Sequence, residues 1–342
     1  MAEASEVLST AMASIAHNRC LMILAALIAD AILPTMPGAG RLLPNPVRLA
    51  RAFGIWLTRR LDRRRRSEAT RLVRGLAAAF LVLAAAIAAG LAIEYAAGRN
   101  DGAAALEFLI VVTIVGQRIL IVRVRGVARA LARGSSGLET ARKILPAFVE
   151  PGWDVLTVDG YGAARIAIEA LATGFAERVV APVFWYLLFG LPGLLGATAI
   201  SGIAVRGPSE SRFGFAALRL DDLVQFLPAR LAGAISAIAA CIAPTGKPAA
   251  ALRTMANDSR KHPSLNRGWP LAAFAGALDL SLAGPRRAVD GVSAAAPWIG
   301  NGRARAQWGD VYRALYLFAA ACLIDLALVA ALTLVRFAAG IG

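Results

Sequence analysis

Histidine, lysine and cysteine are scarce in this chain of 342 residues. The only histidines are His17 and His262, too few for a histidine-built metal centre. Cys20, Cys241 and Cys322 stand alone, without a C-x-x-C pair. That argues against zinc or iron–sulfur ligation and against a disulfide framework, and each reads as a small buried hydrophobe. Charge is thin as well: 17% of residues are charged, against roughly 25% in ordinary soluble domains. Neither a phosphate-cradling G-x-x-x-x-G-K-[ST] loop nor a G-x-S-x-G nucleophile elbow occurs. Any ATP site is therefore not of the P-loop kind. The Ser-rich first 16 residues carry little positive charge and no cleavable A-x-A arrangement after an apolar core, so no secretory leader is expected.

What abounds is apolar side chain, 58% of the total, beside a net charge of +15 from 37 Lys+Arg and 22 Asp+Glu. Such a chain buries enough surface to offset its ordering entropy, which excludes disorder. The excess is nearly all arginine, since Lys143, Lys247 and Lys261 are the only lysines. Nucleic-acid binding and the basic cytoplasmic loops of a bacterial inner-membrane protein both produce such an excess. The apolar content favours the second, with membrane lipid rather than nucleic acid as the partner.

About 20 apolar residues cross a bilayer core. The candidate runs are 20–33 (short, with Asp30), 76–97, 106–122 (interrupted by Arg118), 179–205, 226–243 and 316–341 (with Asp325). The fourth is broken by Gly190-Leu191-Pro192-Gly193, as a kinked or re-entrant span would be. A shorter run, 270–282, contains Asp279 and is expected to be buried against protein. The arginines between Arg59 and Arg74, and those from Arg123 to Arg142, mark the cytoplasmic side. They make the second and third runs a hairpin that turns outside, at 98–102. Residues 249–267 are basic and expected on the cytoplasmic side, while the side of 206–225 stays open. Residues 124–147, broken at Gly134-Ser135-Ser136-Gly137, and 158–178 read as amphipathic helices along the membrane surface. The expected fold is all-α: one domain over 1–342, a multi-pass integral membrane protein of about five or six transmembrane helices with amphipathic cytoplasmic helices.

Three clusters are chemically dense. In Arg219-Leu220-Asp221-Asp222, followed by Arg230, two adjacent carboxylates either hold Mg²⁺ with phosphate oxygens or pair with the arginines and cap a helix. The stretch 257–270 carries Asn257, Arg260, Lys261, His262, Asn266 and Trp269. It suits an anionic ligand or is a solvated basic loop. Pro297-Trp298-Ile299-Gly300-Asn301-Gly302 is a turn with an aromatic, either functional or an interfacial anchor. Asp30, Asp279 and Asp325 within apolar runs leave a transporter as a third reading.

In this order the clusters resemble the CobD/CbiB family of cobalamin biosynthesis proteins. Leu43-Pro44-Asn45-Pro46-Val47-Arg48 is similar to that family's L-P-H-P-V-R, with Asn45 in the place of His. Val179-Val180-Ala181-Pro182-Val183-Phe184-Trp185 resembles V-V-A-P-L-F-W, followed by the Gly190–Gly193 break. The stretch Phe213 to Asp222, F-G-F-A-A-L-R-L-D-D, resembles F-G-W-A-A-A-R-L-D-D and runs on to Pro228-Ala229-Arg230-Leu231. His262 to Pro270, H-P-S-L-N-R-G-W-P, resembles H-P-S-P-N-A-G-W-P, and Pro297-Trp298-Ile299-Gly300 follows. Some polar runs depart. The family's N-T-L-D-S-M before the F-G-W motif stands here as 199–205, A-I-S-G-I-A-V, and its G-R-D-T region as Glu150-Pro151-Gly152-Trp153.

The resemblance implies an ATP-dependent amide ligase. It would join aminopropanol or its phosphate to adenosylcobyric acid, giving adenosylcobinamide or its phosphate, with Mg²⁺ and ATP as cofactors and the corrinoid as substrate. Asp221 and Asp222 are then candidate metal ligands and, with His262 and Asn266, candidate catalytic residues. Arg219, Arg230, Arg260, Lys261, Trp269 and Trp298 are candidates for binding phosphate or corrinoid. Other cobalamin-pathway proteins are possible partners. The departing polar runs support the rival expectation of a non-catalytic membrane scaffold or corrinoid-binding relative.

Overall fold

The computed structural model describes residues 18–32, 46–62, 67–150, 152–204 and 213–340. The N-terminal 16 residues, Leu43 to Asn45 and the start of the 206–225 loop lie outside these. Helices make up nearly all the regular structure: α1 Arg19–Ile32, α2 Pro46–Leu61, α3 Glu68–Ala97, α4 Asp101–Ile114, α5 Gln117–Leu131, α6 Ser135–Ile144, α7 Gly160–Phe175, α8 Ala181–Ile203, α9 Phe215–Val224, α10 Phe226–Ala239, α11 Pro248–Asp258, α12 Gly268–Leu278 and α13 Trp308–Ala338. Two small antiparallel ladders, β1 Leu282–Ala283 with β4 Trp298–Ile299 and β2 Arg286–Arg287 with β3 Ser293–Ala294, precede α13.

Among the described residues four helical segments are long and apolar enough to cross a membrane: Glu68–Ala97, Asp101–Leu131, Gly160–Ile203 and Trp308–Ala338. The pair α9–α10, bent by 48°, makes a fifth if it crosses as one. The protein is an all-α, multi-pass membrane protein. The first apolar run forms only the 14-residue α1, about 21 Å long and short of a bilayer core. α3 and α4 form the expected hairpin, with Asn100 accepting the Gly102 N–H at the turn.

Of the two surface stretches expected from the sequence, 158–178 and the first part of 124–147 pack into the bundle, while α6 keeps an exposed charged face. α7 is buried over most of its surface and continues through a π-helical turn, Ala176–Val180, into α8. Its charges alternate with apolar residues because they meet buried partners rather than water. Glu169 accepts from Arg286 and from the Ala283 N–H at 2.8 Å. α5 likewise buries Leu120, Val124, Val127 and Ala128 and completes the third span. α12 is buried at every residue but Trp269, as expected for 270–282. Asp279 lies outside the candidate spans: it caps α12 in the left-handed region and pairs with Lys247 at 2.8 Å. Lys247 holds the Asp279 carboxyl below the usual carboxylate range. Cys20 is buried, but Cys241 is exposed.

The break in α8 has a local cause and a locked geometry. Pro192 removes one backbone donor, and Gly190 takes φ 67°, ψ −153°, which side chains with a Cβ rarely adopt. α3 packs into the break: a Cβ on Gly90 would lie 2.5 Å from Pro192 Cα, and one on Gly190 2.5 Å from Glu94 Oε1. Glu94 is itself paired with Arg19 of α1 at 2.8 Å. Gly90→Leu therefore has no rotamer that escapes backbone. It is expected to lower stability by about 3 kcal/mol, read as a lower thermal midpoint in detergent. Gly309→Ala, where an added Cβ meets nothing within 4 Å, should leave the midpoint unchanged.

Candidate functional site

The kink aims the last turns of α8 at a cavity of about 150 Å³ in the middle of the bundle. Its polar lining comes from distant parts of the chain: Arg51 of α2, Glu150, Glu177 and Arg178 of the π-turn, Thr198 and Ser201 of α8, Asp221 of α9, Gln225, and Arg267 just before α12. A side branch runs on past Thr173, Glu177, Asp221 and Gln225 to Ser264, Asn266 and Arg267. π-turns insert an extra residue into a helix and occur often at functional sites. Here the turn carries Glu177 and Arg178 to the cavity wall.

The acids and cations are interlocked. Arg267 Nε donates to Glu177 Oε1 at 2.7 Å, and Arg267 Nη2 lies 3.5 Å from Glu150 Oε1. Arg51 Nη2 donates to Glu150 Oε2 at 2.6 Å, so Glu150 bridges two guanidinium groups. Burial of Arg267 disfavours its charge, but Glu177 and Glu150 outweigh that and raise its pKa. On the facing wall, Ser201 Oγ donates to Asp221 Oδ1 at 2.6 Å and accepts from Gln225 Nε2 at 3.1 Å. The Ser201 hydroxyl has one proton, which it gives to Asp221, so it accepts from Gln225 and the Gln225 amide nitrogen faces it. Gln225 Oε1 is left buried without a partner among the described residues.

Of the sequence candidates, Asp221 lines the cavity and its branch, and Asn266 lines the branch. Asp222 lines neither. Successive helical residues point about 100° apart, and Asp222 turns away to hold Arg219 at 3.3 Å. Of the two candidate carboxylates, Asp221 alone lines the cavity. Asn266 is a joint: its Nδ2 donates to the Asp222 carbonyl at 2.8 Å, and its Oδ1 accepts from Arg230 at 3.2 Å. Arg230 lies over the rings of Phe226 and Trp269. His262 Nδ1 accepts the Ser264 N–H at 2.9 Å, which shapes the loop that delivers Asn266 and Arg267. Arg260 and Lys261 sit on an exposed turn, Lys261 pairing with Asp258 at 2.7 Å. Trp298 lies under Arg165, among the partners of Glu169 and apart from the cavity. Among the described residues no group of three or more His, Cys, Asp or Glu is placed to hold a metal.

Glu150, Glu177, Arg178, Ser201, Gln225 and Arg51 were not among the candidates. The one local signal was the Glu177-Arg178 pair directly before V-V-A-P-V-F-W.

Residues 23–318 match the family described as CobD/Cbib protein. The cobalamin biosynthesis protein CobD of Sinorhizobium sp is 38% identical over 325 residues, covering 92% of this chain and 98% of the relative. The protein of that name from Brucella melitensis biotype 1 is 34% identical over 333 residues, covering 94% and 99%. That of Rhodobacter capsulatus is 36% identical over 252 residues, covering 72% and 77%. No solved structure matches the chain. The match takes in the kinked span, the Asp221 helix and the loop that delivers Arg267, three of the parts that build the cavity; the chain belongs to the CobD/CbiB family.

Proposed function

We propose that this protein of cobalamin biosynthesis is an ATP-dependent amide ligase of the bacterial inner membrane. It would join aminopropanol or its phosphate to the propionate of adenosylcobyric acid. The observation that carries this is the single cleft in which three acids, Asp221, Glu177 and Glu150, face three guanidinium groups, Arg51, Arg178 and Arg267. Activating a carboxylate with ATP and then displacing phosphate by an amine needs both signs of charge. Cations stabilise phosphoryl and acyl oxygens, and a carboxylate takes the proton that the amine loses as the C–N bond forms. Asp221, oriented by Ser201, is suited to the second task, and Arg51, Arg178 and Arg267 to the first.

Size apportions the substrates. Pockets that enclose a drug-sized ligand run to about 300–1,000 Å³, so a cavity of about 150 Å³ takes the amino alcohol and the reacting acyl end and leaves the corrin ring outside. Asp221 and Glu177 line both cavity and branch and fit Mg²⁺, which uses one or two carboxylates and completes its shell with phosphate oxygens and water. When bound, the ion would neutralise phosphate charge. The unpartnered Gln225 Oε1 next to Ser201 fits a ligand N–H or O–H once that wall adjusts. Purified protein supplied with adenosylcobyric acid, aminopropanol phosphate or aminopropanol, and Mg-ATP is expected to yield the corrinoid amide, seen by mass. Folded protein that gives no amide with either amine overturns the proposal.

A further inference from the structure

The helix α2 has two faces with different occupants. Its inner face is small and tightly packed: a Cβ on Gly54 would lie 2.7 Å from Ile203 Cα, and one on Gly202 2.4 Å from Ala50 Cβ. Val47 and Arg51 on the same side reach the cavity. Its outer face carries Leu49, Phe53 and Trp56, all about half exposed, at the i, i+4, i+7 spacing of one stripe. The Phe53 and Trp56 rings stack at 5.5 Å. The same stripe ends in exposed Arg60, with exposed Arg59 beside it.

This helix is too short and too charged to be a candidate span. Its 16 residues span about 24 Å, it carries four arginines, and it is not among the candidate spans. It packs on the last turn of α8, and Asp62 just beyond it is held to Arg71 in the first turn of α3 at 2.7 Å. It therefore sits at the arginine-rich end of α3, where a span meets the membrane surface. Arg74 of α3, at the same end, has Nη1 buried without a partner among the described residues. An aromatic stripe closed by arginines is the pattern of a helix lying in the interface of a negatively charged leaflet.

We propose that α2 is an interfacial helix that docks on anionic phospholipid, with Leu49, Phe53 and Trp56 entering the acyl boundary and Arg59 and Arg60 meeting the head groups. Lipid then braces the wall that carries Arg51, because that wall and the docked stripe are opposite faces of one rigid helix. The inference does not depend on the reaction assigned to the cavity.

The test uses full-length protein, its three cysteines replaced by alanine, in vesicles of phosphatidylcholine with or without phosphatidylglycerol. Nitroxide labels at Leu49→Cys and Phe53→Cys are expected to collide with oxygen more than with a water-soluble nickel complex. Spin-labelled phosphatidylglycerol is expected to associate more than spin-labelled phosphatidylcholine. Arg59→Gln with Arg60→Gln should reduce that preference by about five-fold for each arginine lost. Labels that collide mainly with nickel, or that couple to a second copy across a protein contact, overturn the proposal. So does an unchanged lipid preference in the double variant. If the double variant fails to fold, label accessibility in the parent chain decides.

Discussion

Asp221→Asn is expected to reduce amide formation by about 100-fold or more, while Asp222→Asn stays within about five-fold of the parent. The two residues are neighbours in sequence and chemically alike, so the contrast isolates geometry. Asp221 is buried, lines the cavity and accepts the Ser201 hydroxyl at 2.6 Å. Asparagine keeps its shape and still accepts from Ser201, so the fold is retained. What disappears is the negative charge and the ability to take a proton from the attacking amine. Asp222, buried like its neighbour, lines neither the cavity nor its branch and pairs instead with Arg219, whose side chain is 64% exposed. The measurement is initial rate in detergent, with thermal midpoints to confirm folding, alongside complementation of a strain lacking its own family member. Asp221→Asn protein that still supports cobalamin synthesis would favour the non-catalytic scaffold reading.

The spans were legible because their signal is local. Residues 76–97 announce α3 by composition, and Gly190 with Pro192 announces the break in α8 by backbone chemistry alone. α7 was misplaced for the opposite reason. Arg165, Glu169 and Glu177 look like a wetted face until their partners are known, and those partners are remote: Glu177 meets Arg267 90 positions away, and Glu169 meets Arg286 117 away. A buried ion pair and a solvated stripe have the same sequence pattern, and only tertiary contact separates them. The same limit hid half of the cavity. The run 199–205 reads as lost polarity when compared with the family's N-T-L-D-S-M, yet its one hydroxyl, Ser201, is the group that orients Asp221. Conversely, the adjacent Asp pair looked like one metal site, and helical rotation separates it.

Arg267 stands where the family's H-P-S-P-N-A-G-W-P has alanine, and its removal should be among the most damaging single changes in this chain. Arg267→Ala takes from Glu177 one partner, at 2.7 Å, and leaves Glu150 with Arg51. Stranding one member of a buried pair costs about 3–5 kcal/mol. The two side chains are 27% and 33% exposed, so water recovers part of this and about 2 kcal/mol is expected. Glu177→Gln combined with Arg267→Ala removes the carboxylate that lost the Arg267 bond and should restore most of the thermal midpoint, a coupling of about 2 kcal/mol in a double-mutant cycle. Strict additivity would show that the pair contributes nothing. Arg267→Lys separates stability from chemistry. The ammonium keeps the charge between the acids but cannot hold the fork that reaches Glu177 and Glu150 together. The midpoint should then stay near that of the parent while amide formation falls about ten-fold. A cation needed only for folding would leave that rate unchanged.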